Sequence, residues 1–176
     1  MSKILIAYVS VNGTAKECAE KLAEQLTGPE ITICDLAKNI PEPQDFDLIV
    51  VGSCVRFGKI RPAAKKFLNL CASVCQEKPI GVFLCCGLSH NFDEYREHLI
   101  PIALRRYAFL ISNFGGYLNP KGKPFWDRFW LRAARSTILE SEMEDGEFTP
   151  VLPGILPENI GQMAVYARKA LSEPIG

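Results

Sequence analysis

Histidine is scarce in this chain. His90 and His98 are the only two in 176 residues, and no C-x-x-C pair accompanies them, so a tetrahedral zinc site lacks ligands at workable spacing. Net charge is absent as well: 20 Lys+Arg cancel 20 Asp+Glu, so no global field recommends nucleic acid or an acidic membrane surface as the main partner. No apolar run approaches the ~18 to 20 residues that span a bilayer. The opening MSKILIAYVS has no small-residue cleavage site after its apolar stretch, and a cytoplasmic chain is expected. Seven cysteines, an odd number without the spacing of a secreted disulfide scaffold, fit a reducing compartment and packed thiols. Cys71 and Cys75 would share a helix face, where packing is the expected role. Neither G-x-x-x-x-G-K-[ST] nor G-x-G-x-x-G occurs, which sets aside the nucleoside triphosphate loop and the dinucleotide fingerprint. What is present is a hydrophobic share of 48%, enough for one core, and a single domain over 1–176 is expected.

The run from Ile4 to Val9 is almost unbrokenly apolar, as a parallel strand covered on both faces requires. After a polar turn, Ala15, Cys18, Ala19, Leu22, Ala23 and Leu26 recur at three and four, predicting a helix that stops near Gly28-Pro29. Further strands are expected at Ile31 to Leu36, Asp47 to Gly52, Pro79 to Cys86 and Phe109 to Leu118. Helices are expected from Pro62 to about Cys75, from Phe92 to Arg106 with Pro101 kinking or dividing it, and from Pro157 to Leu171. This alternation predicts an α/β doubly wound parallel sheet with helices on both faces. Ligands in such sheets sit beyond the carboxyl ends of the strands, which singles out residues 10–15, 53–59 and 86–92. Residues from about Asn119 to Leu156 break the pattern and read as an insertion. Phe125, Trp126, Phe129, Trp130, Ala133 and Ile138 would form a short amphipathic helix with Arg128, Arg132 and Arg135 on its wetter side. An acidic cluster follows at Glu140, Glu142, Glu144, Asp145 and Glu147, able to pair with those arginines.

Ser10-Val11-Asn12-Gly13-Thr14-Ala15 joins the first strand directly to a helix. Unpaired N–H groups and a positive dipole at such a helix start can hold an anion without a full positive charge. Gly13 permits close backbone approach, and Ser10, Asn12 and Thr14 carry groups able to bond phosphate oxygens. The same residues also serve as ordinary N-caps, and the loop alone leaves both readings open. A phosphoacceptor receiver domain would need an acidic pair after the first strand and an aspartate ending the third, where Ser10 and Gly52 stand.

Ser10 to Ala15 resembles the [ST]-x-[TN]-G-x-[TS] phosphate loop of the flavodoxin family, with Ala15 in place of the usual hydroxyl residue. Gly52-Ser53-Cys54-Val55-Arg56-Phe57-Gly58 resembles the G-[AS]-x-[IV]-R-[YF]-G segment of flavodoxin-type, menaquinone-dependent protoporphyrinogen oxidases and their flavodoxin-domain relatives. Trp126-Asp127-Arg128-Phe129 resembles their W-x-D-R-F element. The resemblance covers essentially the whole chain. It implies a five-stranded flavodoxin-like sheet in the order 2-1-3-4-5 and noncovalent FMN, its phosphate on Ser10, Val11, Asn12, Gly13, Thr14 and Ala15. The flavin ring would then lie between Ser53, Cys54, Val55, Arg56, Phe57 and Gly58 on one side and Cys86, Gly87 and Leu88 on the other.

Val55 and Phe57 would give the ring apolar surface, although Phe57 fits a core position equally well. Arg56 near the pyrimidine edge would favour the anionic reduced flavin and raise its potential, or would merely pair with a surface carboxylate. Ser89, His90 and Asn91 continue the third loop, with His90 expected at the surface. Cys54 and Cys86 would line the pocket by packing. Three functions follow as expectations. The first is an FMN oxidoreductase acting on a protoporphyrinogen-like or quinone-linked substrate. The second is an electron carrier docking to redox protein partners. The third is a flavin-free interaction module. Membrane contact would be peripheral at most.

Overall fold

The computed structural model describes residues 1–87, 91–116 and 154–172. Five strands, β1 (Lys3–Val9), β2 (Glu30–Asp35), β3 (Leu48–Cys54), β4 (Ile80–Cys85) and β5 (Leu110–Asn113), form one sheet in the order β2-β1-β3-β4-β5. Every pairing is parallel, and the register aligns Val9 with Ser53 and Cys54 with Cys85. The helices are α1 (Thr14–Gln25), α2 (Pro62–Val74), α3 (Phe92–Leu99), α4 (Ile102–Tyr107) and α5 (Pro157–Ser172). This is the expected doubly wound architecture and strand order.

Successive residues of a strand point to opposite faces, so a strand covered on both sides must be apolar at every position. β1 does this: Ile4, Ile6 and Tyr8 enter one core with Cys18, Ala19 and Leu22 of α1 and Ile160, Met163 and Ala167 of α5. Leu5, Ala7 and Val9 enter the other with Phe67, Leu68 and Cys71 of α2 and Leu104 of α4. Two hydrophobic cores thus sandwich the sheet. The stripe read from the sequence for α1 is the face that is buried, with Ala23 half-buried at its border.

One expected break is found, and two strand ends differ from expectation. Pro101 divides the 92–106 helix, because Ile100 before it takes an extended conformation (φ −100°, ψ 130°) and α4 restarts behind the ring. β3 continues two residues past Gly52, to Cys54, held by its pairing with β4. β5 stops at Asn113 instead of reaching Leu118. There the Asn113 side-chain Oδ1 accepts the Gly115 N–H at 2.9 Å, and Gly115 turns the chain at φ 76°. Leu118 lies outside the described residues, as do the amphipathic segment with Arg128, Arg132 and Arg135, the Trp126 to Phe129 element and the acidic cluster. The chain leaves and re-enters through a short neck in which Gly116 N–H bonds Gly154 O and Leu156 N–H bonds Phe114 O, both at 3.0 Å. That neck stands at the carboxyl end of β5.

Gly52 passes beneath the Phe83 ring so closely that a β-carbon there would sit inside it. Phe83 is itself stacked on Phe114 at 4.4 Å between centroids and cannot swing away. Gly52→Ala is therefore expected to destabilise the protein by about 2 kcal/mol, read as a lowered midpoint in urea unfolding. A second expectation concerns Cys71, whose thiol is pushed up to about 12 by burial and, to a lesser degree, by Cys75. Below the free-thiol value of about 8.5 both states keep the proton and the group makes no pH dependence. Between there and about 12 the unfolded chain releases a proton that the folded chain retains, so stability falls as pH rises. The slope from this one group approaches ~1.4 kcal/mol per pH unit, and Cys71→Ala should flatten the alkaline limb of stability against pH by that amount.

Candidate functional site

β1, β3 and β4 end side by side, and the turns that follow them form one rim. β1 hands over to α1 through Ser10 to Gly13, of which Val11, Asn12 and Gly13 are exposed. Gly13 takes the N-cap position in the left-handed conformation (φ 87°, ψ −18°), and no side chain caps the helix. The first intrahelical bond runs from Glu17 N–H to Gly13 O at 2.9 Å. The N–H groups of Thr14, Ala15 and Lys16 therefore meet no acceptor among the described residues. Ser10 Oγ is buried and also without a partner. An unpaired buried hydroxyl costs roughly 1–3 kcal/mol, so it stands out beside amides that also lack acceptors.

Of the two readings of this turn, the ordinary side-chain N-cap is the one the geometry lacks. What remains is a set of uncapped main-chain donors at the positive end of a helix dipole, suited to an anion. Ala15 and Thr14 are both buried, and the Ala15 methyl belongs to the core beneath the sheet. A hydroxyl at position 15 would point into that core, so the departure from the family motif leaves the main-chain N–H in place.

The second turn begins within β3. Ser53 is 1% exposed, and its Oγ donates to Cys54 O at 3.2 Å, so its side chain is engaged inside the molecule. Cys54 packs against the α1/α5 core and Val55 against the α2/α4 core, both half-buried. Arg56 and Lys59 exchange both main-chain hydrogen bonds, at 2.9 and 3.1 Å. Phe57 and Gly58 between them both have positive φ, 52° and 68°, which makes a two-residue primed hairpin turn. An aromatic residue rarely adopts this conformation. Phe57 is 66% exposed, which settles its place as surface and not core. The Arg56 guanidinium lies over its ring, 5.2 Å from the centroid. Beside Gly58 stands Tyr95 of α3, whose Oη accepts from Asn91 Nδ2 at 3.4 Å.

The third turn begins at Cys86 and Gly87; Leu88, Ser89 and His90 lie outside the described residues. Cys86 is buried, and its N–H is held by Asn113 Oδ1 at 3.3 Å. Gly116 approaches this peptide closely enough that a β-carbon would lie 3.2 Å from Gly87 N. Beneath the rim, Cys85 Sγ meets Cys18 Sγ at 3.8 Å. That contact, then burial, holds the Cys85 thiol well above the usual range, as expected of a packed and unreactive cysteine. Among the described residues no cluster of ligating side chains could hold a metal.

Asn113, Asn159 and Tyr95 escaped the sequence reading. Asn113 lies within the run that predicts a strand to Leu118, and the Asn-x-Gly spacing of Asn113 and Gly115 is the turn signal against it.

A family model described as a flavodoxin domain matches residues 5–142. Among solved structures, a short-chain flavodoxin associated with a non-canonical PDU bacterial microcompartment is 14% identical, with 97% of this chain and 99% of that chain covered and a TM-score of 0.57. A variant flavodoxin of Fusobacterium nucleatum bound to flavin mononucleotide is 12% identical, with 96% of each chain covered and a TM-score of 0.54. A variant flavo di-iron protein of Thermotoga maritima, 12% identical with a TM-score of 0.53, aligns over 97% of this chain and only 36% of its own. None of the curated proteins matches.

The Phe57 conformation carries a stability consequence. A left-handed non-glycine residue costs about 1–2 kcal/mol, whereas an exposed cation–π contact returns about 0.5–1 kcal/mol. Strain is the larger, so Phe57→Gly should raise the urea midpoint, by an amount corresponding to roughly 0.5–1 kcal/mol.

Proposed function

The chain belongs to the flavodoxin-domain family, and from that premise we propose that it is an electron-transfer protein that works through noncovalent FMN. One observation carries the reading: α1 starts on a left-handed Gly13 with no capping side chain, next to an unpartnered buried Ser10 Oγ. A phosphate monoester supplies what these groups lack, several acceptor oxygens and negative charge. FMN, when bound, takes up electrons from one partner and yields them to another.

The chain's own residues bind and bias that cofactor. Main-chain donors of Thr14, Ala15 and Lys16, with the Ser10 hydroxyl and the Asn12 amide, hold the phosphate. Val55 and the exposed Phe57 present apolar surface to the ring. Ser53, Cys54 and Gly58 shape the second turn chiefly through their backbone. Cys86 and Gly87 offer main-chain groups at the opposite edge, continued by Leu88. Arg56, placed by the hairpin, brings positive charge that favours a reduced, anionic ring. The strain held at Phe57 makes sense as a feature kept for binding, since the same residue in a relaxed conformation would not hold its ring at the hairpin tip.

A redox protein docking at this rim is the partner the reading requires. The narrower reading, oxidation of a porphyrinogen with a quinone as acceptor, draws on Gly52 to Gly58 and on Trp126 to Phe129, the latter outside the described residues. No described helix is long and apolar enough to cross a membrane. Anaerobic mixing of the reduced protein with a quinone, with and without protoporphyrinogen, separates the two: catalytic porphyrinogen consumption assigns an oxidase, and exchange with a redox protein alone assigns a carrier.

Titration of the apoprotein with FMN and with riboflavin tests the phosphate seat. Gly13→Val, which cannot easily adopt the left-handed turn, is expected to weaken FMN binding at least roughly tenfold and leave riboflavin affinity unchanged. Equal loss for both ligands, or no flavin binding by the parent protein, overturns the reading.

A further inference from the structure

Asn113 is 7% exposed and stands at the end of β5, one strand beyond the three that carry the binding turns. Its Oδ1 accepts two main-chain N–H groups, from Cys86 at 3.3 Å and from Gly115 at 2.9 Å. Its main-chain oxygen accepts from Asn159 Nδ2 of α5 at 2.7 Å. Because both partners of the side chain are N–H donors, the orientation of the amide is fixed by the network: oxygen inward, nitrogen away. One oxygen therefore ties the turn after β4 to the turn after β5, and α5 clamps the residue that carries it.

Building on the FMN reading, we propose that Asn113 is a positioning residue for the ring end of the cofactor site. Its Oδ1 takes the Cys86 N–H and so sets the Cys86-Gly87 peptide, whose main-chain groups face the ring end of the site. The Cys86 amide follows the carboxyl end of β4, and the last paired residue of β5 is Asn113 itself. Removing the side-chain oxygen takes one acceptor away from N–H groups of two different loops at once. The close approach of Gly116 to Gly87 N leaves little room for the loop to be held by a bulkier substitute.

The test compares Asn113→Ala, Asn113→Asp and Asn159→Ala with the parent protein, using FMN and riboflavin titrations and the midpoint potential of the bound flavin. Asn113→Ala should weaken both ligands by the same factor, roughly tenfold, because the damage is at the ring end. Asn159→Ala removes the clamp on the main chain but not the Oδ1 bonds, and should leave both affinities within about twofold. Asn113→Asp keeps an acceptor for both amides, so the fold survives even where the alanine variant does not, and its charge beneath the loop should lower the midpoint potential. Unchanged affinities in Asn113→Ala, equal losses in Asn113→Ala and Asn159→Ala, or an unmoved potential in Asn113→Asp each overturn the proposal while FMN binding by the parent stands. A parent protein that binds no flavin overturns the FMN reading itself, and this inference with it.

Discussion

The first turn of α1 is left without a side chain to close it, and the rest of the molecule serves to place that turn. A helix start has orphan N–H groups by construction, and most helices satisfy them with a serine, threonine, asparagine or aspartate. Here the capping position is given to Gly13 in a left-handed conformation. Among the described residues Ser10 Oγ has no partner, and Asn12 is exposed. The two hydrophobic cores make this tolerable. α1 is fixed by Cys18, Ala19 and Leu22 packing onto β1 and α5, so it does not depend on its cap to stay in place.

The same logic extends around the rim. Each turn keeps a local feature that packing alone would remove: an uncapped helix, a phenylalanine at positive φ, and a buried asparagine feeding two amides of different loops. Sequences normally agree with their fold at every level, and the exceptions concentrate where a ligand is handled. Beneath the rim the chemistry is quiet. Cys18 and Cys85 touch one another, with the Cys85 thiol held well above its usual range, and Gly52 is a packing glycine under a stacked aromatic pair.

Much of the fold was legible because parallel strands covered on both faces must be apolar at every position, and Ile4 to Val9 satisfies that unmistakably. The stripe of α1 and the break at Pro101 were equally plain, each resting on a periodicity or on one residue's covalent geometry. The limit of β5 was not, because Asn113 ends that strand through a side-chain bond to a glycine two residues on, and an apolar-rich run hides such a turn. Exposure of Phe57 could not be read either. Whether an aromatic residue in a short loop is buried depends on the turn that carries it, here the hairpin that Arg56 and Lys59 close. At the site, composition marked the turn after β1 as a candidate, while the missing side-chain cap was visible only in the structure.

The claim at the centre is that main-chain N–H groups at the start of α1 grip the phosphate of FMN. Amide proton shifts in a labelled apoprotein, followed as FMN is added, read this directly. The account predicts that the amides of Thr14, Ala15 and Lys16 move strongly downfield as they gain charged acceptors, whereas riboflavin leaves them where they were. Flavin binding that leaves those three amides unmoved would contradict it.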